Sequence, residues 1–122
     1  MRLSPSEIRA LVDVMATFVG GLEAELYLFG SRTNDKLKGG DIDLLLLVPS
    51  IDERKLNSRR HVILAQLKKH LGDRKIDLTI SAKEKASSEP FLIEALRSAV
   101  SLGKWGLIYM ALIAYGQGPK EL

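Results

Sequence analysis

The sequence predicts an α/β domain, a small mixed β-sheet flanked by helices. Three observations predict it. Apolar residues recur at helical spacing through 8–22, four consecutive leucines lie within 41–48, and residues 75–80 alternate strictly between apolar and polar. Read along the chain, the order is helix–strand–strand–helix–strand–helix, which packs as helices on a sheet.

The first helix has a clear start. Ser4 is placed to cap it, Pro5 suits the first helical position, and Glu7 completes a capping box. Ile8, Leu11, Val12, Met15, Phe18, Val19 and Leu22 then form one buried face, and Gly20-Gly21 ends the helix. Ala24 to Phe29 reads as a short strand stopped by Gly30. Ser31 to Gly40 is a polar loop rich in turn formers. Asp41 to Val48 is a second strand, whose leucine run implies burial on both faces.

Asp52 to Leu71 reads as one helix, with Leu56, Ile63, Leu64, Leu67 and Leu71 inward and Gly72 as its stop. Its other faces carry Arg54, Lys55, Arg59, Arg60, Lys68 and Lys69, read as a solvated basic face, with His61 and His70 on the surface. Lys75 to Ile80 is a third strand, and a third helix is expected from about Pro90 to Leu102. Residues 1–102 are read as one domain and 103–122 as a C-terminal tail of unassigned structure. Apolar residues of that tail, from Trp105 to Tyr115, would suit extra core, self-association or a partner surface.

Composition narrows the function. The 122 residues are 46% hydrophobic and 27% charged, enough for a core without staples. The absence of cysteine excludes thiolate zinc sites, iron–sulfur clusters and thiol catalysis, and two histidines are too few for a histidine-rich metal site. A metal here would be a hard cation on carboxylates. The net charge of +3 is compatible with a phosphate-bearing ligand and too mild for a nucleic-acid-binding stripe. Met1 to Glu7 lacks the layout of a secretory signal, and Trp105 to Tyr115 is too short to span a bilayer. The expectation is a cytoplasmic protein without a membrane partner.

The acids stand out by position. Asp41 and Asp43 open a strand otherwise made of Ile and Leu, and at spacing i, i+2 they share a face. Two like charges beside apolar surface need a cation, a proton or an arginine. Asp77 repeats the pattern amid Ile76, Leu78 and Ile80. If the two strands are neighbours, three carboxylates converge at one end of the sheet, a donor set for one or two magnesium ions. Paired metals serve in-line displacement at phosphorus. The preceding loop offers Gly30 for close backbone approach, Ser31 for hydrogen bonding, and Arg32, Lys36 and Lys38 as cations for polyphosphate. Taken singly, a Gly-Ser turn or an Asp-x-Asp at a strand mouth is usually structural; their joint order is the signal.

The set Gly30-Ser31-Arg32, Asp41-Ile42-Asp43-Leu44 and Lys75-Ile76-Asp77-Leu78 resembles the minimal nucleotidyltransferases of the DNA polymerase β-like superfamily, over roughly residues 5 to 102. The resemblance implies a polymerase β-like nucleotidyltransferase fold. It implies that Gly30, Ser31 and Arg32 bind the nucleotide, and that Asp41, Asp43 and Asp77 are both metal ligands and catalytic residues. Asp77 would also accept the proton of the attacking hydroxyl. Magnesium would be the cofactor and ATP the substrate, with pyrophosphate leaving. Small stand-alone members of the MntA type are antitoxins paired with HEPN-domain toxins, so a HEPN toxin tyrosine is the implied acceptor. The chain departs from the pattern at Thr33, Asn34 and Asp35, and has Gly40 where Ser often precedes the first Asp. Two alternatives stand beside this reading: an antitoxin that masks its toxin by binding alone, and a nucleotidyltransferase acting on a small hydroxylated molecule.

Overall fold

Ser4 starts the fold as its sequence predicts. Its hydroxyl accepts from the Glu7 N–H at 3.1 Å and its own N–H donates to the Glu7 carboxylate at 2.9 Å, closing the capping box of helix α1 (Pro5–Val19). The Ser4 N–H, with the paired Arg74 guanidinium adding to it, holds the Glu7 carboxyl below its usual range. This contribution to stability is present above the ordinary carboxylate range and is lost as pH falls through the lowered value. The computed structural model describes residues 3–30 and 41–106.

Helix α1 is followed by β1 (Ala24–Phe29), β2 (Ile42–Val48), α2 (Ser50–Ser58), α3 (Arg60–Leu71), β3 (Ile76–Ala82), a single 3₁₀ turn at Lys83–Lys85, α4 (Pro90–Arg97) and β4 (Val100–Trp105). The strands form one sheet in the order β3-β2-β1-β4. β1 runs antiparallel to both β2 and β4, whereas β2 and β3 are parallel and joined by the α2–α3 crossover. The sheet is mixed, as expected.

Alternation along each strand sends side chains to two cores. Ala24, Leu26 and Leu28 of β1, Ile42, Leu44, Leu46 and Val48 of β2, and Ile76, Leu78 and Ile80 of β3 join Leu11, Met15 and Val19 of α1 and Ile63, Leu67 and Leu71 of α3. On the opposite face Leu45 and Leu47 pack with Leu92 of α4, beside Tyr27 and Phe29. The four leucines at 44–47 are thus buried on both faces, each no more than 4% exposed.

Two elements differ from the sequence reading. The helix expected over Asp52–Leu71 is two helices, broken at Arg59 (φ −108°, ψ 11°). Near this break Asn57 donates its amide to the Ile80 carbonyl at 3.1 Å, and Arg60 donates to the Leu78 carbonyl. The Ile42 N–H bonds the Lys75 carbonyl, so in a parallel ladder the even-numbered carbonyls of β3 face its outer edge. Asn57 and Arg60 therefore satisfy the acceptors of an edge strand and blunt it against pairing with another chain. Arg59 meanwhile lies over the Phe18 ring, 5.3 Å from its centroid. The basic helix face is partly structural; His61 and His70 are exposed, as read.

The helix expected to reach Leu102 ends at Arg97, and Val100–Trp105 is a strand beside β1. The division placed at residue 102 falls inside β4, so Gly103 to Trp105 belong to the sheet. Pairing with β1 passes from Leu26↔Gly103 to Tyr27↔Ser101, which leaves Leu102 as the extra residue of a bulge. The remainder of the tail, residues 107–122, lies outside the described residues. No helix among the described residues is long and apolar enough to cross a membrane.

Candidate active site

Strand β1 delivers the chain to Gly30, whose φ of +76° is a backbone conformation that a side chain would strain. The strand stops before Gly30, as expected. Ser31 and Arg32 lie outside the described residues, as does the rest of the loop to Gly40.

Asp41 immediately precedes β2 and Asp43 lies on it; they flank buried Ile42, and both are half-buried. Asp43 shares the alternation of Leu45 and Leu47, so it belongs to the α4 face of the sheet, at the strand's N-terminal end. Asp77 pairs with Asp43 in register across the parallel β2–β3 ladder. It alternates with the buried Ile76 and Leu78, so it lies on that same face, and it is exposed. Neighbouring strands are about 4.8 Å apart, so two carboxylates of one sign stand side by side. The convergence of the β2 and β3 acids is therefore a matter of backbone register. Among the described residues no three His, Asp or Glu side chains are grouped closely enough to hold a metal ready-made. The donor set nevertheless fits a hard cation: it is all carboxylate oxygen, and its central pair is fixed by the sheet.

Asp43 has Phe29 as its partner on the other side, so one row across three strands reads Phe29, Asp43, Asp77. Phe29 meets Phe91 of α4 edge to face, with ring centroids 5.8 Å apart and planes at 83°. Beside this pair opens a cavity of 240 Å³, lined among the described residues by Phe29, Gly30, Phe91, Glu94, Ala95 and Ser98. The sequence reading did not single out these α4 residues. A signal was available: Phe91, Glu94, Ala95 and Ser98 recur at i, i+3, i+4, i+7, a stripe separate from buried Leu92.

Farther along the same face, the Tyr27 hydroxyl donates to Glu25 at 2.7 Å, and Lys104 of β4 lies 3.6 Å from that carboxylate. Burial, with the Glu25 carboxylate adding to it, pushes the Tyr27 phenol up to about 12. The folded state holds this proton more tightly than the unfolded chain. The resulting stabilisation is complete below the ordinary value of 10.0 and is lost as pH rises through about 12. Absorbance titration of the wild type minus Tyr27→Phe is expected to show one phenol ionising near 12, and a difference curve centred at 10 would remove the buried hydrogen bond from this account.

The strand mouth thus holds a glycine turn, an in-register carboxylate pair with a third acid two residues upstream, and an aromatic cavity. Residues 8–100 match the model of the nucleotidyltransferase domain. The chain belongs to this nucleotidyltransferase-domain family. Among solved structures, a chain of a toxin–antitoxin crystallised with AMP-PNP shares the fold at 21% identity and a TM-score of 0.57, covering 93% of this chain and 95% of that one. A protein described as a nucleotidyltransferase, from Sulfolobus solfataricus, is 24% identical with a TM-score of 0.47, covering 81% of this chain and 84% of its own. No curated protein sequence matches the chain. The expected fold class, a small mixed sheet flanked by helices, is the observed one.

Proposed function

We propose that this nucleotidyltransferase-family chain is a magnesium-dependent enzyme that moves AMP from ATP to a tyrosine hydroxyl of a HEPN-domain toxin, and so acts as the toxin's antitoxin in the cytoplasm. The observation that carries the proposal is the in-register pairing of Asp43 with Asp77, with Asp41 two residues upstream and the Gly30 turn at the end of the adjoining strand. Membership of the family and a fold shared with a toxin–antitoxin protein crystallised with AMP-PNP support it.

In this reading Gly30 lets the backbone approach the triphosphate, Ser31 bonds its oxygens and Arg32 balances their charge. Asp41, Asp43 and Asp77 would hold the magnesium. When bound, the metal polarises phosphoryl oxygens and lowers the nucleophile's pKa. Asp77, exposed at the edge of the carboxylate pair, takes the proton of the incoming hydroxyl. The acceptor oxygen forms a bond to the α-phosphorus, the bond from that phosphorus to the bridging oxygen of the β-phosphate breaks, and pyrophosphate leaves with the bonding pair. The carboxylates act by placing fixed negative charge where cation and proton must sit, so the geometry of the strand mouth does most of the work.

The test is intact-mass spectrometry of the partner toxin after incubation with this chain, ATP and magnesium. An AMP increment on the toxin, mapped to a tyrosine, is expected. A stable complex with no increment would replace catalysis by masking, and an increment on an added small hydroxylated compound alone would move the acceptor away from protein.

A further inference from the structure

Residues 54–72, the second half of α2 and all of α3, hold six of the chain's 18 Lys and Arg and none of its 15 Asp and Glu. The fold uses two of these cations: Arg59 lies over Phe18, and Arg60 donates to a β3 carbonyl. On α3 there remain His61, Ala65, Lys68 and Lys69, an exposed stripe at spacing i, i+4, i+7, i+8. Ion pairs among the described residues are made elsewhere, at Arg74, Lys85, Arg97 and Lys104. On α4, Arg97 has Glu94 one turn before it; on α3 the corresponding place is Ala65. Ala65 is three residues before Lys68 and four before Lys69, so a glutamate there would pair with both and stabilise the helix. A face that served solvation alone would gain from that acid. Lys68 and Lys69 also complement the C-terminal end of the helix dipole, which accounts for the cations and not for the missing carboxylate.

The stripe leads toward the carboxylates. Only Gly72 to Lys75 separate α3 from β3, and Asp77 is the second residue of that edge strand, exposed. The last turn of α3 is therefore at the same end of the sheet as Asp77. Glu53 and Asp73 close the basic run at its two ends, so it fits an acidic segment of limited length rather than a long polyanion. Residues 54–72 also contain no Phe, Tyr or Trp on which nucleic-acid bases could stack. We propose that the His61–Lys69 stripe of α3 docks an acidic segment of the acceptor protein and so brings its tyrosine to Asp77. The proposal rests on the toxin-modifying reading and deepens it. Contacts remote from the reacting hydroxyl hold the acceptor at the strand mouth.

Association of the full chain with the HEPN-domain toxin, followed on a biosensor at about 0.15 M and about 1 M salt, tests it. Ala65→Glu is expected to slow association about tenfold or more, while its melting temperature holds or rises. Lys104→Gln makes an equal change in net charge on β4, at the far edge of the sheet, and is expected to associate as the wild type does. High salt is expected to bring the wild type down toward the rate of Ala65→Glu. Unchanged association of Ala65→Glu, or equal slowing by both variants, overturns the docking surface and leaves the transferase reading standing. A short single-stranded RNA that displaces the toxin also overturns it, by giving the stripe to nucleic acid. Association that depends on Ala65 but yields no AMP increment supports the docking surface and removes the transfer. A toxin that does not associate with the wild type brings down the docking surface and the toxin acceptor together.

Discussion

Asp43→Asn is expected to lower AMP transfer about 100- to 1000-fold, the range for removing one group aimed at charge that develops in the reaction. Asparagine keeps the size of the side chain and one acceptor oxygen but lacks the negative charge a hard cation requires. The position matters because Asp43 is the middle of the row, with Phe29 on one strand and Asp77 on the other. Asp77→Asn is expected to impair transfer similarly and also to remove the proposed proton acceptor. Without metal its effect on stability has the opposite sign. Like charges directly across a strand pair are destabilising, so neutralising exposed Asp77 is expected to raise stability by about 0.2–1 kcal/mol. Thermal melts with and without magnesium complete the test: ion binding is expected to stabilise the wild type and to leave the variants unmoved. Undiminished transfer by Asp43→Asn, or an unaltered magnesium shift in both variants, would sink the carboxylate site.

Local rules made the first half of the fold readable. Ser4, Pro5 and Glu7 satisfy the backbone groups of one helix end within four residues, so the start of α1 needs no tertiary information. Leu44 to Leu47 could be read as doubly covered because no solvent-facing residue interrupts them. Asp41, Asp43 and Asp77 were conspicuous as charges within apolar strands, and period-two geometry sufficed to give Asp41 and Asp43 one face. Their register was not legible. That Asp43 faces Asp77 rather than a neighbour depends on how the α2–α3 crossover returns the chain to the sheet.

The misread elements have identifiable causes. The break at Arg59 carries no glycine or proline; it accompanies contacts that Asn57 and Arg60 make with β3 carbonyls, which are distant in sequence. β4 combines a bulge at Leu102 with Gly103, and both interrupt the alternation that marks a strand. The cavity escaped notice for a similar reason. Half of its aromatic pair, Phe29, lies on a strand, and the other half, Phe91, lies on a helix more than sixty residues later.

Leu44→Ala is expected to destabilise the domain by about 4 kcal/mol and Leu92→Ala by about 2 kcal/mol, although both leucines are essentially unexposed. The transfer contribution is the same for each, so the difference lies in how far the surroundings can close on the lost volume. Leu44 sits in the larger core, between β1 and β3 and beneath α1 and α3, where backbone hydrogen bonds on both sides hold the strand in place. A void there persists. Leu92 packs with Leu45 and Leu47 from the eight-residue helix α4, which can settle toward the sheet. Against a total stability of about 5–15 kcal/mol, the first change brings a typical domain near its threshold and the second does not. Chemical denaturation checks both values. Equal destabilisation by the two substitutions would mean that α4 is held as rigidly as the central strands. In that case Leu92→Ala would leave a fixed void too, as Leu44→Ala does.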